Sequence, residues 1–249
     1  MSLKLKAVAA ALVAAASFTA NAAIVDDFTT SQVVTDNSAN GTAVTSSVVG
    51  AGILGGERDV SLSATQILIN GQSPNVNITG GFLSLNSPSG SAATMVVQWD
   101  GADASATRAY GLGNADLTEA GANLGFLILT HNADQPFTFS VGAYNSAGQS
   151  SVVTFNGHQT AGFQVSPVAS FIPFAGFNSC GFSGGDVVSV VCTGGGVNFS
   201  SLNALELTIV GTADLDLTIA EVSAIPEPAV LALMGSALFG LAAFRRRKS

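Results

Sequence analysis

Three stretches of this chain alternate apolar and polar residues with a period of two. Phe137, Phe139, Val141 and Ala143 interleave with Thr138, Ser140, Gly142 and Tyr144. Leu205, Leu207 and Ile209 interleave with Glu206 and Thr208, and Leu215, Leu217 and Ile219 with Asp214, Asp216 and Thr218. Side chains on a strand point to opposite faces in turn, so the pattern buries one face of a sheet and leaves the other wet. Met95, Val97 and Trp99 share one face of another strand, and the last of them reads as a core residue. Leu124 to Thr130 is apolar on both faces, which suits a mid-sheet strand. Further strands are expected over Ile24–Phe28, Thr42–Val49, Asp59–Leu62, Gln66–Asn70, Phe82–Asn86, Ser151–Phe155 and Val187–Cys192, separated by Gly, Ser, Asn and Pro clusters. Asp116–Ala122 reads as a helical turn, with Asp116 at the N-cap and Glu119 three residues on. About ten or twelve strands with frequent turns predict an all-β fold, a two-sheet antiparallel β-sandwich. A jelly roll is the expected form, because it protects sheet edges in a protein with few charged gatekeepers.

The two ends depart from this pattern. Lys4 and Lys6 precede an apolar run, Ala7–Ala16, and Ala20-Asn21-Ala22 supplies an A-x-A site, so residues 1–22 read as a secretory signal helix cut after Ala22. At the other end, Pro226-Glu227-Pro228 is followed by the uncharged run Ala229–Phe244 and then Arg245-Arg246-Arg247-Lys248. As a helix the run is about 24 Å long, against a hydrocarbon core of roughly 30 Å. The terminal cations can snorkel to the far headgroups, and they keep that end cytoplasmic. The two prolines hold the preceding backbone extended, as a protease groove requires. Motif, transmembrane helix and basic end together resemble the PEP-CTERM sorting signal of exported proteins in Gram-negative bacteria. That resemblance implies passage through the secretion machinery and a precursor held transiently in the inner membrane. Exosortase then cuts it, leaving it at the cell surface or in the extracellular space. The chain accordingly divides into a signal peptide (1–22), a β-sandwich domain (23–224) and a sorting signal (225–249).

The middle domain has no lysine. Arg58 and Arg108 face fifteen carboxylates, from Asp26 to Glu221, giving a net charge near −13 against −8 for the whole chain. Nucleic acid and anionic lipid need Lys or Arg to displace counterions, so both are excluded as partners of this domain. Divalent cations suit it better. Cys180 and Cys192, the two cysteines of an exported chain, are expected to form a disulfide, whose short loop would contribute about 3 kcal/mol.

Two further resemblances bear on the domain. Gly52-Ile53-Leu54-Gly55-Gly56-Glu57-Arg58-Asp59 and Val97-Gln98-Trp99-Asp100-Gly101 look like a group of PEP-CTERM exported proteins defined by sequence, which implies no activity. The Asp26-Asp27-Phe28 opening, Phe171 to Phe177 and a closing hairpin from Asn203 to Val222 are similar to galactose-binding-like jelly rolls. That likeness implies paired terminal strands, a structural calcium beside them and, in many members, sugar binding. Asp26 or Asp27 could then meet Asp214 or Asp216, with Asp27 and Asp216 as the calcium ligands; the other reading is solvated carboxylates on an outer face.

The remaining candidates are single residues. Arg58, between Glu57 and Asp59, is expected to pin a strand through a bidentate carboxylate pair. Arg108, near Asp100, Asp103 and Tyr110, has the same reading. His131 and His158 lack a nucleophile elbow or zinc-ligand spacing and read as structural or surface residues. Asp100 beside Trp99 is the one pair that invites glycoside hydrolysis. Catalytic residues are therefore expected to be absent, and calcium is the one cofactor in view. The favoured reading is a non-enzymatic cell-surface or matrix component binding cations or exopolysaccharide. The alternative is a lectin-like carbohydrate-binding module using Tyr110 and Tyr144, with an extracellular hydrolase behind both.

Overall fold

The computed structural model of the protein describes residues 22–226, apart from residues 70, 71, 161 and 165. The signal helix, the transmembrane helix and Glu227 and Pro228 of the sorting motif lie outside the described residues, while Ala22 and Pro226 stand at their two limits. Among the described residues no helix is long and apolar enough to cross a membrane.

The strands are β1 (Ala23–Asp26), β2 (Gln32–Thr35), β3 (Val44–Val49), β4 (Glu57–Ile67), β5 (Asn75–Thr79), β6 (Phe82–Asn86) and β7 (Ser91–Trp99), followed by β8 (Gly125–Ala133), β9 (Phe137–Ser146), β10 (Gln149–Gly157), β11 (Val168–Pro173), β12 (Val187–Thr193), β13 (Ala204–Gly211) and β14 (Asp216–Ile225). They form two seven-stranded antiparallel sheets. The first has the order β11-β8-β14-β6-β5-β2, with β1 also on β14; the second has the order β12-β10-β9-β13-β7-β4-β3. On one side β14 pairs with β8, and on the other with β6 at residues 216–219 and β1 at residues 222–224.

The period-two pattern produces the expected sandwich. Met95, Val97 and Trp99 of β7 and Leu205, Leu207 and Ile209 of β13 turn inward, to meet Phe126 and Ile128 of β8 and Leu217 and Ile219 of β14. At one end Phe126, Phe174, Phe177 and Phe199 pack together, with Phe174 and Phe199 stacked at 4.1 Å. Burying a ring of this size stabilises a domain by about 2–3 kcal/mol. A disulfide joins Cys180 to Cys192 and fastens the loop before β12 to that edge strand.

Four expectations need correction. Gln66–Asn70 is not a separate strand: a bulge between Ala64 and Gln66 lets β4 run on to Ile67. Asp116–Ala122 is a turn, because Glu119 and Ala120 take positive φ values of 48° and 55°, although Asp116 does cap it by accepting from Thr118 N. The segment from Asn203 to Val222 is not a hairpin, since β13 belongs to the second sheet and β14 to the first. Asp214 lies in the crossing turn at φ 66°, so it does not share a strand face with Asp216.

Candidate functional site

The first three residues of β4 send their side chains to opposite faces. Arg58 points between the sheets and is fully buried. Its Nη1 donates to both oxygens of Asp26, at 3.0 and 3.1 Å, so the expected carboxylate partner is present, but it is held by one nitrogen and not by the two-nitrogen fork. Its Nε donates to Gln32 Oε1 and its Nη2 to the Thr30 carbonyl. Asp26 accepts further bonds from Trp99 Nε1 at 2.9 Å and Phe28 N at 2.9 Å. The network spans the sandwich, tying β1 to β4 and β7, and each charge in it is met by the other.

Glu57 and Asp59 take the outer face of the second sheet. Neither is more than 3 % exposed, and Asp100, at the end of β7, is also buried. Single oxygens of Glu57, Asp59 and Asp103 lie within 4.8 Å of one another. Ala104 N donates to Glu57 Oε1 at 2.7 Å, Ser47 Oγ to Asp59 Oδ1, and Ser105 N to Asp103 Oδ1 at 3.0 Å. Asp59 Oδ2 and Asp100 Oδ1 are buried with no hydrogen-bond partner. Burial pushes the Asp59 carboxyl up to about 6, against the bond from Ser47 and with help from the charges of Glu57, Asp100 and Asp103. Burial raises Asp100 as well.

The same face continues across the sheet. Ser47, Asp59, Gln98, Glu206 and Gly142 stand opposite one another on β3, β4, β7, β13 and β9. Two residues along runs a parallel row of Thr45, Ser61, Val96, Thr208, Ser140 and Thr154. Tyr144 lies down along β9 over Gly142, where an added Cβ would sit 2.6 Å from the phenol oxygen, so glycine is required there. The Arg108 guanidinium covers the other side of the ring, 3.7 Å from its centre, and donates to Glu206 Oε2 at 2.6 Å. Gln98 Nε2 reaches the same oxygen, and the Tyr110 ring meets Tyr144 edge-on at 6.4 Å. Burial and then Glu206 push the Tyr144 phenol up to about 12. The segment that brings Arg108 and Tyr110 here is fastened by Ala104 N on Glu57, Ala109 N on Asp100 and Leu112 N on the Asn203 carbonyl.

The calcium pair expected from the sequence is not brought together. Asp26 faces Val222 in the β1–β14 register, which leaves Asp216 six residues further along, about 20 Å away. Asp27 instead holds Thr29 N and Oγ1, whose hydrogen bonds lower its pKa. Asp216 heads β14 opposite Asn86. His131 bonds the Gln164 carbonyl between Phe82 and Phe163, and His158 forms an exposed pair with Asp186. That pair stands at the mouth of an apolar cavity of about 520 Å³ between the sheets, lined by Phe137, Phe139 and Phe155. Trp99 faces the core and Asp100 the outer cluster, so they do not form a glycosidase pair. The grouping of Glu57, Asp59 and Asp103, and the Glu206 partner of Arg108, were missed from sequence. The signal available was that two carboxylates two residues apart on a strand share a face.

Residues 224–248 match the PEP-CTERM protein-sorting motif. The chain is thus an antiparallel β-sandwich carrying a sorting signal that marks it as exported and processed by exosortase. The match begins on the last two paired residues of β14. None of the curated proteins matches the chain. Among solved structures, it is similar to the family 11 carbohydrate-binding module of the cellulosomal cellulase Lic26A-Cel5E of Clostridium thermocellum. The identity is 10% and the TM-score 0.38, over 84% of this chain and 96% of that one. That module in complex with a β-1,3-1,4-mixed-linked tetrasaccharide matches at 10% identity and TM-score 0.34, over 80% of this chain and 96% of that one. An agarase, AgWH50C, matches at 15% identity and TM-score 0.40, over 63% of this chain but 22% of its own length. At such values the likeness assigns neither ligand nor activity to this chain.

Proposed function

We propose that the protein is a non-enzymatic component of the cell surface or extracellular matrix that holds exopolysaccharide on the outer face of its second sheet. The observation that carries this reading is the convergence of Arg108, Glu206, Gln98 and Tyr110 over the covered Tyr144 ring at one end of that face, beside a row of hydroxyl side chains broken only by Val96. Saccharides are recognised by planar polar groups and by rings presented together. A hydrolytic role is disfavoured at this end of the face because its one carboxylate, Glu206, is ion-paired to Arg108. The signal peptide over residues 1–22 brings the chain across the inner membrane. The helix from Ala229 to Phe244 then holds the precursor there until exosortase acts at the Pro226-Glu227-Pro228 region.

Affinity electrophoresis of the exported chain through gels containing neutral or acidic polysaccharides tests the binding reading. Retardation by at least one polysaccharide is expected, weakened about tenfold or more in Arg108→Ala and Tyr110→Ala. Unretarded migration throughout would leave a purely structural role. A chain ending at Pro226 keeps all of β14, and it should escape membrane retention and processing. Normal processing of that chain would sink the sorting reading.

A further inference from the structure

The domain has spent its cations. Among the described residues there is no lysine, Arg58 is committed to Asp26, and Arg108 is committed to Glu206. Glu57, Asp59 and Asp103 therefore converge with no positive side chain to neutralise them. Each carboxylate is already oriented by a hydrogen bond to one of its oxygens, from Ala104, Ser47 or Ser105. Asp59 is fully buried, and its Oδ2 makes no hydrogen bond. A buried carboxylate oxygen facing two other carboxylates is relieved either by a proton or by a bound cation, and a cation relieves all three acids at once.

We propose that Glu57, Asp59 and Asp103 form a Ca²⁺ site that ties the segment after β7 to the start of β4. The donors are all oxygen, which selects a hard ion over zinc or copper. Ca–O bonds run about 2.3–2.6 Å, so two oxygens across one ion stand up to about 5 Å apart. The observed spacing, within 4.8 Å, fits that limit. Mg²⁺ holds its own waters and demands a strict octahedron, which three carboxylates fixed by separate backbone and hydroxyl donors serve less well than the flexible shell of Ca²⁺. Three carboxylates provide the charge, and water completes the coordination. This site is separate from the terminal strands and from the Asp27 and Asp216 pair, and it does not depend on polysaccharide binding.

The test is calorimetric titration of the chelator-treated protein with CaCl₂, alongside melting curves with Ca²⁺ or Mg²⁺. One Ca²⁺ per chain and a raised melting temperature are expected, with Mg²⁺ weaker. Asp59→Asn and Asp103→Asn should each weaken Ca²⁺ binding at least about tenfold, while Asp216→Asn should leave it unchanged. Asp103 is exposed, so its variant gives a second reading of the site that leaves the buried Asp59 in place. The proposal is overturned if Ca²⁺ produces neither heat nor a melting shift, if Mg²⁺ binds equally well, or if Asp103→Asn binds like the wild type.

Discussion

Glu57, Arg58 and Asp59 are consecutive, yet they enter two opposite electrostatic worlds. On the inner side Arg58 meets Asp26, Trp99, Gln32 and the Thr30 carbonyl, so that a buried charge pair is closed within the protein. On the outer side Glu57 and Asp59 meet Asp103, three acids with no cation among them, while Asp100 beside them feels the charge of Arg108. Burial alone therefore says little about a charged side chain. What matters is whether its partners arrive with the fold or have to come from solution. The inner set is a structural clasp, and the outer set is an incomplete one.

That contrast can be broken from either side. The largest effect should come from Arg58→Ala, which leaves Asp26 charged and unpaired in the core and should cost about 3–5 kcal/mol in urea unfolding. The double change Asp26→Leu with Arg58→Met removes both charges and should recover most of that loss. If it does not, the pair contributes more than mutual neutralisation. Trp99→Phe keeps one aromatic ring but removes the Nε1 donor to Asp26 and leaves a small cavity, and should cost about 1.5–3 kcal/mol by the same measurement. On the outer side the sign reverses. In metal-free protein Asp59→Asn should raise stability by about 1 kcal/mol, because it removes one of several repelling charges. A loss of stability there would show that the outer cluster is closed by groups of its own.

The smallest effect concerns the covered ring beside Glu206. The Tyr144 phenol is raised from 10.0 to about 12 by burial, so the folded state favours its neutral form. Its contribution is complete below pH 10 and is lost as pH rises through about 12. Tyr144→Phe should flatten the decline in stability across that window, read from denaturation midpoints. An unchanged decline would mean that the ring is reached by solvent.

Much of the sandwich was readable from its side-chain period, because alternation reports which face of a strand is dry. Phe82–Asn86 was placed to the residue, and β9, β13 and β14 were recognised from their alternation. The short strands β2 and β5 escaped notice, because QVVT buries its glutamine and exposes Val33, and NVNIT interleaves its apolar residues with asparagine, a turn-former. Partners were harder than elements. A carboxylate partner for Arg58 follows from the chemistry of an isolated guanidinium in an acidic domain, but nothing local says that it is Asp26, 32 residues earlier. The Asp27 and Asp216 pairing failed for the same reason. Terminal strands do meet, but antiparallel register places Asp26 opposite Val222, far from the head of β14. Disulfide partners needed no such choice, since Cys180 and Cys192 have only each other.

The pairing of β1 with β14 also governs when the domain can be finished. Ala23, at its start, stands opposite Ala224, at its end. Until the ten residues of β14 arrive, β8 has only β11 beside it, β6 has only β5 and β1 has no strand partner, so the first sheet exists as three unjoined pieces. A chain made from its N-terminus must therefore wait, open along the middle, for its final strand. Contacts this distant in sequence form late and leave bare strand edges meanwhile. Completion of the sheet and completion of the domain are one event, and any stall before residue 216 leaves an unclosed sandwich.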